Sequence, residues 1–331
     1  MEYIKIAGTD LEVSRIGLGT WAIGGWMWGG TDEKQAIRTL HEALDRGVTL
    51  IDTAPIYGFG TSESIVGKAL ATSSLRARAV VATKLGLEWQ GEKVHRNNSR
   101  ERIFVEIEES LRRLGTDHVD IYQVHWPDPL VPAQETAEAL SRLLEQGKIR
   151  AIGVSNYSPE QMKAFAQFAP LHTSQPPYNL FEREIEDDVL PHCRENGITT
   201  LMYGALCRGL LSGRMRMDTS FEGDDIRKVD PKFSGERRSH YLAAVSELEK
   251  LAHDLGKTVL HLAVRWVLDQ PGSHVALWGA RNPAQLEPLE GVCGWSLSQQ
   301  QLARIDEIVA QHVVDPVGPE FMAPPFREAK T

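Results

Sequence analysis

The segment Val48-Thr-Leu-Ile-Asp52-Thr-Ala-Pro-Ile-Tyr57-Gly58 joins an apolar, β-branched run to a polar break. The run from Val48 to Ile51 is typical of a buried strand, and the proline and glycine after it indicate a loop. Asp52 therefore stands at the end of a strand, and Tyr57 lies just beyond it. An aspartate and a tyrosine in such places are often only a turn former and a half-buried aromatic residue.

Two later apolar runs end in the same way, since Ala79-Val-Val-Ala-Thr-Lys84 ends in a lysine and Val119-Asp-Ile-Tyr-Gln-Val-His125 ends in a histidine. Counting all such runs predicts eight strands, near residues 16–19, 48–52, 79–84, 119–125, 149–154, 172–175, 198–203 and 275–278. Helices with apolar residues at three- and four-residue spacing separate nearly all of them. They are predicted near residues 31–46, 62–70, 99–113, 133–145, 159–169, 182–195, 235–255 and 258–269.

Strands that alternate with helices run parallel, and eight such units predict a closed (β/α)8 TIM barrel in the α/β class. The alternative is an open doubly wound sheet, which would have fewer strands and a glycine fingerprint after the first one. The sequence Gly17-x-Gly19-x-x-Ala22 fits that fingerprint, but a glycine-rich loop follows it where the fingerprint needs a helix. We therefore prefer the barrel.

The remaining segments add to the barrel without dividing the chain. Short strands around Gly8-Thr-Asp10 predict an N-terminal β-hairpin. Residues 214–234 have no apolar period and predict a long loop, a kind of segment that often serves as a lid. A helical tail begins near Ser298, and a proline-containing end with little structure covers 315–331. The expected organisation is one domain spanning residues 1–331.

The net charge and the cysteine content of the chain bear on its binding partners and its cellular compartment. The 36 lysines and arginines against 45 aspartates and glutamates give a net charge of −9, which argues against nucleic acid or an anionic membrane. The three cysteines, Cys193, Cys207 and Cys293, form no C-x-x-C pair and suggest a reducing compartment. The charged N-terminus lacks the apolar run of a signal peptide, and no stretch approaches the ~20 apolar residues of a membrane span. We expect a cytoplasmic protein.

The carboxyl ends of barrel strands form the site in proteins of this architecture. The polar side chains at those ends are Asp52, Lys84, His125, Asn156, Gln175 and Tyr203, with Tyr57 beside the first. A free tyrosine has a pKa of about 10, and a nearby ammonium lowers it. A relay from Asp52 through Lys84 to Tyr57 would therefore suit proton transfer to a carbonyl oxygen that His125 orients. No metal-binding spacing and no G-x-S-x-G motif is present in the sequence.

Each of these residues also has a structural explanation. Asp52 and Lys84 would serve as a buried ion pair, and a lone His125 is more often a hydrogen-bonded core residue than a catalytic one. The set as a whole favours function, because titratable groups with perturbed pKa values gather at sites.

In this order, Asp52, Tyr57, Lys84 and His125 resemble the catalytic tetrad of the aldo-keto reductase superfamily. The resemblance covers almost the whole chain and rests on five motifs: Gly17-Leu-Gly-Thr-Trp21, Asp52-Thr-Ala-x-x-Tyr57-Gly, Gly153-Val-Ser-Asn156, Gln175-Pro-Pro-Tyr-Asn179 and Gly209-Leu-Leu-Ser-Gly213. The stretches 20–28 and 276–281 are similar to the bacterial NADP-dependent enzymes that act on glycerol and glyceraldehyde.

The resemblance implies reversible, NADPH-dependent reduction of small aldehydes and ketones such as glyceraldehyde or methylglyoxal, with Tyr57 as general acid and base. It assigns Ser155, Asn156 and Gln175 to the nicotinamide carboxamide and Tyr203 to the face of the ring. Contacts to the rest of the cofactor would come from Gly19, Thr20, Trp21, Gly204, Leu206, Gly209, Leu210, Ser212, Gly213, Gly279, Arg281, Asn282 and Gln285. Arg281 and Asn282 are suited to bind the 2′-phosphate, so NADP(H) is favoured. NAD(H) stays open because Gln285 stands where relatives often have arginine.

The substrate pocket implied by the resemblance is aromatic. Trp21, Trp26, Trp28 and Trp126 are its expected walls, and Trp89 and Tyr178 are further candidates. A second hypothesis is a slow, cofactor-occupied binding module similar to the potassium-channel β-subunits, which share this fold. A third is a barrel isomerase or phosphate-handling enzyme, which would transfer no hydride. The sequence indicates no oligomeric partner and does not name the physiological substrate.

Overall fold

The computed structural model describes residues 1–327. Eight parallel strands close into a barrel in the order β3-β4-β5-β8-β9-β10-β11-β12, which confirms the predicted (β/α)8 TIM barrel. The twelve strands are β1 (Tyr3–Lys5), β2 (Glu12–Ser14), β3 (Ile16–Gly19), β4 (Leu50–Asp52), β5 (Val80–Leu85), β6 (Leu87–Gln90), β7 (Lys93–Arg96), β8 (Val119–Val124), β9 (Ile149–Ser155), β10 (Thr173–Gln175), β11 (Thr199–Met202) and β12 (His274–Gly279).

Helices surround the strands, and most begin and end within a few residues of the predicted bounds. The α-helices are α1 (Trp21–Gly24), α2 (Glu33–Asp45), α3 (Thr61–Ala69), α4 (Ser73–Arg76), α5 (Arg100–Leu114), α6 (Ala133–Glu145), α7 (Pro159–Ala166), α8 (Val189–Glu195), α9 (Gly235–Asp254), α10 (Val259–Asp269) and α11 (Gln299–His312). Helix α5 shows how local chemistry sets these bounds. The Ser99 side chain accepts a hydrogen bond from the backbone N–H of Arg102, and Gly115 ends the helix at φ 65°.

The predicted N-terminal hairpin is present, and it closes one end of the barrel. Strands β1 and β2 pair antiparallel. Ile6, Leu11 and Val13 from this hairpin pack inside the barrel against strand residues such as Leu50 and Ile121, all of them at most 2% exposed. The interior is therefore a packed core, and the open end lies at the carboxyl ends of the strands.

The short helices α1 and α4 were not predicted. Three further segments differ from the sequence predictions. The helix predicted over 182–195 begins only at Val189, because Glu182 is directed into a cluster of buried charges and a 3₁₀ turn covers Glu184–Glu186. The antiparallel hairpin β6–β7 was not predicted. The end of the chain, predicted to have little structure, forms a 3₁₀ turn at Glu320–Met322 and a parallel bridge between Phe326 and Arg96. Residues 328–331 of that prediction lie outside the described residues.

Residues 214–234 contain only short 3₁₀ turns, at Ile226–Lys228 and Pro231–Phe233, in agreement with the predicted long loop. No helix within residues 1–327 has both the length and the apolar character needed to cross a bilayer.

We expect Asp120→Ala to lower the free energy of unfolding by about 1–3 kcal/mol, because it leaves the buried N–H of Val81 without its acceptor and removes the carboxylate that pairs with the partly exposed Arg76 and Arg150. Asp120, which is 1% exposed, accepts hydrogen bonds from the backbone N–H of Val81 (2.8 Å), from Arg76 (2.9 Å) and from Arg150 (2.7 Å). Asp10 also pairs with Arg150, but its side chain is 83% exposed. Asp10→Ala is therefore the matched control, with an expected loss below about 1 kcal/mol. Equal losses in urea denaturation would contradict this account.

Candidate active site

The four tetrad candidates come together at the carboxyl end of the barrel. Asp52 ends β4, Tyr57 lies in the loop that follows, Lys84 points inward from β5, and His125 directly follows β8. The Lys84 ammonium donates hydrogen bonds to Asp52 Oδ1 (2.6 Å), to the Thr53 carbonyl (3.0 Å) and to the Tyr57 hydroxyl oxygen (3.2 Å). The order carboxylate, ammonium, phenol expected from the strand ends is thus present in space.

Two amide side chains hold the other oxygen of Asp52. Gln175 Nε2 donates to Oδ2 at 2.8 Å, and Gln123 Nε2 donates at 3.3 Å. Gln123 lies two residues before His125 on β8, and the sequence analysis did not single it out. Because both oxygens of Asp52 are engaged and the residue is 2% exposed, the carboxylate has one fixed orientation toward Lys84.

Burial and charge set the protonation states of the lysine and the tyrosine. Burial works against the charged form of Lys84, but Asp52 and Tyr57 outweigh it and raise the pKa of the ammonium above its ordinary value. Burial also raises the pKa of the Tyr57 hydroxyl. The positive charge of Lys84 acts to lower this pKa, and the negative charge of Asp52 acts to raise it. The sequence predicts a net lowering of the Tyr57 pKa, and that prediction is wrong because desolvation of the phenolate outweighs the effect of the Lys84 ammonium.

The His125 imidazole is neutral at this site. Burial, with the Lys84 ammonium as a second cause, holds the pKa of His125 well below its ordinary value. Its ring meets the Tyr57 ring edge to face, with centroids 5.9 Å apart. A protonated phenol and a neutral imidazole therefore lie side by side on the wall of the same cavity, and each group is able to donate a hydrogen bond.

A second network joins the residues expected at the nicotinamide. The Tyr203 hydroxyl donates to Asn156 Oδ1 (2.9 Å), and Asn156 Nδ2 donates to the His125 carbonyl (3.0 Å) and to Ser155 Oγ (3.0 Å). Ser155 Oγ donates in turn to the Gln175 carbonyl (2.8 Å). Asn156 has φ 61°, a left-handed conformation that asparagine tolerates better than most residues. These hydrogen bonds join the ends of β9 and β10 to each other and to His125 at the end of β8.

These residues face a cavity of about 1880 Å³ at the open end of the barrel. Its walls include nearly all of the predicted site residues: Gly19, Thr20, Trp21, Trp26, Trp28, Asp52, Tyr57, His125, Trp126, Ser155, Asn156, Gln175, Tyr203, Gly204, Leu206, Gly209, Ser212, Gly279, Arg281 and Gln285. Lys84 lies behind this wall and Leu210 is fully buried. Gly213 and Asn282 do not line the cavity. The volume exceeds the 300–1,000 Å³ of a typical small-molecule pocket and has room for a dinucleotide.

Aromatic rings form one side of the cavity. Trp21 lies nearly parallel to Tyr57 with centroids 6.0 Å apart, and Trp28 meets Trp21 edge to face at 5.5 Å. The ring centroids of Trp26 and Phe59 lie 4.8 Å apart. Tyr178, a further candidate from the sequence, does not belong to this wall, since it is fully buried against Trp266.

Two wall segments were not predicted from the sequence, although Trp89 on the first of them was named as a pocket candidate. The hairpin β6–β7 contributes Trp89, whose ring centroid lies 5.8 Å from that of Phe59. The C-terminal segment 321–327 reaches across to this hairpin, where the Arg96 guanidinium lies 5.2 Å from the Trp126 ring and 4.5 Å from the Phe326 ring. The sequence held a signal for each wall segment. Trp89 lies near Gly91, which is typical of a turn, and Phe321 and Phe326 flank Pro324 and Pro325.

At the far end of the cavity, the loop after β12 is organised by its own polar side chains. Asn282 Oδ1 accepts a hydrogen bond from the backbone N–H of Gln285 (3.2 Å), and Gln285 Oε1 accepts one from the backbone N–H of Arg281 (2.7 Å). The Arg281 guanidinium donates to the Trp28 carbonyl at 2.7 Å and borders the cavity. Arg281, Asn282 and Gln285 were the residues expected here. Arg281 places a positive charge at the cavity wall, and Asn282 and Gln285 fix the conformation of the loop.

The long segment 214–234 lies against the tryptophan-bearing loop. The Asp224 carboxylate accepts hydrogen bonds from the backbone N–H groups of Met27 (2.7 Å) and Gly29 (3.0 Å), and the Ile226 N–H donates to the Met27 carbonyl (3.0 Å). Arg227 from this segment lies 5.3 Å from the Trp28 ring. Within residues 1–327, no group of three or more histidine, cysteine, aspartate or glutamate side chains is placed to hold a metal ion.

Known proteins share this architecture over nearly the whole chain. Residues 15–310 match the model of the Aldo/keto reductase family. The chain is 60% identical to aldo-keto reductase YhdN of Bacillus subtilis over 329 residues, which is 99% of each chain. It is 38% identical to the NADH-specific methylglyoxal reductase of Escherichia coli over 301 residues, covering 86% of this chain and 91% of that protein.

Among solved structures, the glycerol dehydrogenase AKR11B4 from Gluconobacter oxydans superposes with a TM-score of 0.88 at 54% identity, covering 97% of this chain and 99% of that one. The holo form of aldo-keto reductase AKR11C1 from Bacillus halodurans superposes with a TM-score of 0.78 at 27% identity, covering 93% and 96%. On this family match and these relatives, the chain is an oxidoreductase that belongs to the aldo/keto reductase family.

Proposed function

We propose that this enzyme reduces small aldehydes and ketones to alcohols with NADPH, reversibly, and that Tyr57 is its general acid and base. The single observation that carries the proposal is the buried hydrogen-bonded chain from Asp52 through Lys84 to the Tyr57 hydroxyl. Methylglyoxal and glyceraldehyde are the proposed test substrates, and glycerol is the proposed alcohol for the reverse reaction. They are supported by the activities named for the relatives from Escherichia coli and Gluconobacter oxydans.

The proposed mechanism uses the protonation states of the site. The Tyr57 hydroxyl gives its proton to the carbonyl oxygen, and the Lys84 ammonium stabilises the phenolate that remains. Asp52 keeps Lys84 charged and oriented. Neutral His125 donates a hydrogen bond that orients the same oxygen. NADPH, when bound, supplies the hydride that the carbonyl carbon gains.

The cavity fits a dinucleotide in size and in the residues that face it. We propose that Ser155, Asn156 and Gln175 bind the carboxamide and that Tyr203 stacks on the nicotinamide. The turn from Gly204 to Gly213 would bind the pyrophosphate through its backbone. Leu210 and Gly213, which do not line the cavity, would act there only by shaping the turn.

The preference between NADPH and NADH is proposed to depend on Arg281. Its guanidinium borders the cavity, and an arginine forms strong charge-assisted hydrogen bonds to a phosphate. Asn282 and Gln285 hold the loop that presents it. We favour NADPH on this ground, with NADH as the second cofactor, since a relative at 38% identity is NADH-specific.

We expect Arg281→Gln to raise the Kd for NADPH about tenfold, which corresponds to about 1.4 kcal/mol, and to change the Kd for NADH less than about twofold. The reason is that only NADPH carries the 2′-phosphate that the guanidinium would bind. Fluorescence titration of both cofactors measures this. Arg304→Gln, on the exposed face of α11, is the matched control. Equal weakening of both cofactors would show instead that Arg281 acts by holding the Trp28 carbonyl.

We expect kcat/KM for reduction to show no inflection near pH 6.5 and to stay level between about pH 6 and pH 8. His125 has a lowered pKa, so it is already neutral across this range. Tyr57 has a raised pKa, so its acid form is lost only as the pH rises through a value above its ordinary pKa of about 10. A pH–rate profile with a step centred near pH 6.5 would contradict the neutral state of His125.

The test of the proposed function is loss of absorbance at the reduced-nicotinamide band, with NADPH and NADH assayed in parallel against methylglyoxal and glyceraldehyde. Turnover with NADPH supports the reductase, and the ratio of kcat/KM for the two cofactors gives the preference. Tight NADPH binding without turnover on a broad aldehyde panel would contradict it and favour a cofactor-occupied binding module.

A further inference from the structure

A cluster of four buried charges lies next to the turn proposed for the pyrophosphate. Glu182 Oε1 accepts hydrogen bonds from Arg208 Nη2 (2.7 Å) and Lys232 Nζ (2.8 Å). Asp230 Oδ2 accepts from Arg208 Nε (2.5 Å), and Asp230 Oδ1 lies 3.5 Å from Lys232 Nζ. All four side chains are at most 5% exposed. The two positive and two negative charges balance one another.

Glu182 and Arg208 of this cluster are held in their charged forms. Burial would raise the pKa of Glu182, but Arg208 and Lys232 outweigh it and the pKa is lowered. Burial would lower the pKa of Arg208, but Glu182 outweighs it and the pKa is raised. Removing charges from water costs several kcal/mol per ion, so such a cluster is weak evidence for a role in stability alone. The cluster also contacts two segments that border the cavity.

On one side, the cluster holds a strained turn. Cys207, Arg208 and Gly209 follow one another at φ 45°, 50° and 97°, and only the last is a glycine. Two consecutive side-chain-bearing residues in this region keep their conformation only where the surroundings fix it. Arg208 is fixed by its two carboxylates. Asn179 Nδ2 adds a bridge from Glu182 Oε2 (2.7 Å) to the Gly204 carbonyl (3.0 Å).

On the other side, the same cluster holds the C-terminal segment. Lys232 Nζ donates to the Val317 carbonyl at 2.7 Å. The Arg208 and Lys232 cations lie 5.4 and 5.6 Å from the Phe321 ring, and Arg208 Nη1 lies 3.8 Å from the Met322 sulfur. Phe321 and Met322 border the cavity. One set of charges thus contacts both the turn proposed for the pyrophosphate and the part of the cavity wall that Phe321 and Met322 form.

We propose that Glu182 and Lys232 are positioning residues that couple the turn at 204–213 to the C-terminal wall at 317–327, so that loading the cofactor orders the substrate pocket. The proposal rests on the proposed function of the cavity. Lys232 does not line the cavity, so it acts through its contacts with Glu182 and the Val317 carbonyl. Substrate would therefore bind more tightly to the cofactor-loaded enzyme.

Hydrogen exchange of the full-length enzyme tests the coupling. In the native protein, saturating NADPH should slow exchange of the peptide covering 313–327 by about tenfold. In Lys232→Met, with NADPH again saturating, that peptide should exchange as in the free enzyme. The KM for methylglyoxal should rise about tenfold while kcat stays within about twofold. Lys232→Arg should recover part of the protection, and Lys250→Met, an exposed lysine on α9, should behave as the native protein.

The outcomes separate this proposal from the proposed function. NADPH-dependent protection that is absent in the native protein, or that persists in Lys232→Met, overturns the coupling while the reductase stands. If the native protein binds neither NADPH nor NADH, the proposed function fails and the coupling fails with it. If Lys232→Met does not fold, Glu182→Gln with Lys232→Met keeps the charge balance and leaves the Arg208–Asp230 pair. That double variant should also lose the protection, and keeping it contradicts the proposal.

Discussion

Tyr57→Phe is expected to lower kcat for carbonyl reduction by about 10²- to 10⁴-fold, the range that a positioned general acid contributes. The substitution removes the proton that the carbonyl oxygen would receive and leaves the ring in place beside Trp21 and His125. Cofactor affinity should change less than about twofold, because the hydroxyl is not among the proposed cofactor contacts. Steady-state assays with NADPH and methylglyoxal, together with fluorescence titration of NADPH, measure both quantities.

Tyr3→Phe is the matched control, since it deletes a hydroxyl on β1 that donates to the Gly47 carbonyl between α2 and β4 and does not line the cavity. It should leave turnover unchanged. Turnover of Tyr57→Phe close to that of the native enzyme would remove Tyr57 from the mechanism. A loss of NADPH binding in parallel with turnover would mean that the hydroxyl holds the site together and is not its acid.

Lys84→Met is expected to affect both activity and stability. It should lower kcat by about 10²- to 10⁴-fold, because the Tyr57 phenolate formed in the reaction would lose its neighbouring cation. It should also lower the free energy of unfolding by about 3–5 kcal/mol, because Asp52 would remain as a buried carboxylate without its ion-pair partner. Urea denaturation and the methylglyoxal assay give the two values for the same preparation.

A double variant separates these two effects. Asp52→Asn together with Lys84→Met removes both charges, so most of the lost stability should return, while the loss of kcat should remain. Recovery of activity along with stability would show that Lys84 serves only the fold, as the structural ion pair considered for it from the sequence. Failure of the second substitution to restore stability would contradict the assigned pairing of Asp52 with Lys84.

The barrel was predictable because its signals are local. Each strand is a short apolar run, each helix has an apolar face, and turns or caps such as Ser99 and Gly115 mark the boundaries. The clustering of the four tetrad candidates was predictable for a related reason, since a closed parallel barrel brings the carboxyl ends of all strands to one rim. Asp52, Lys84 and His125 needed only to stand at strand ends to be placed together.

The features that the sequence did not predict depend on contacts between residues far apart in the chain. The helix predicted over 182–195 was wrong because Glu182 is held by Arg208 and Lys232, and a helical period in the sequence does not report such partners. The C-terminal wall is fixed in the same way by its contact with Arg96. The direction of the pKa shift at Tyr57 depended on the depth of burial, a quantity that follows from packing and not from the neighbouring residue types.

We propose, above all, that a hydride passes directly from the nicotinamide to a carbonyl carbon at this site while Tyr57 supplies the proton. The most direct test is turnover of methylglyoxal with each of the two NADPH isotopomers that carry a single deuterium at C4, followed by mass and NMR analysis of the alcohol. We expect one isotopomer, and only one, to place deuterium on the new carbinol carbon. Alcohol without deuterium from either isotopomer, or tight NADPH binding without any alcohol, would contradict the claim.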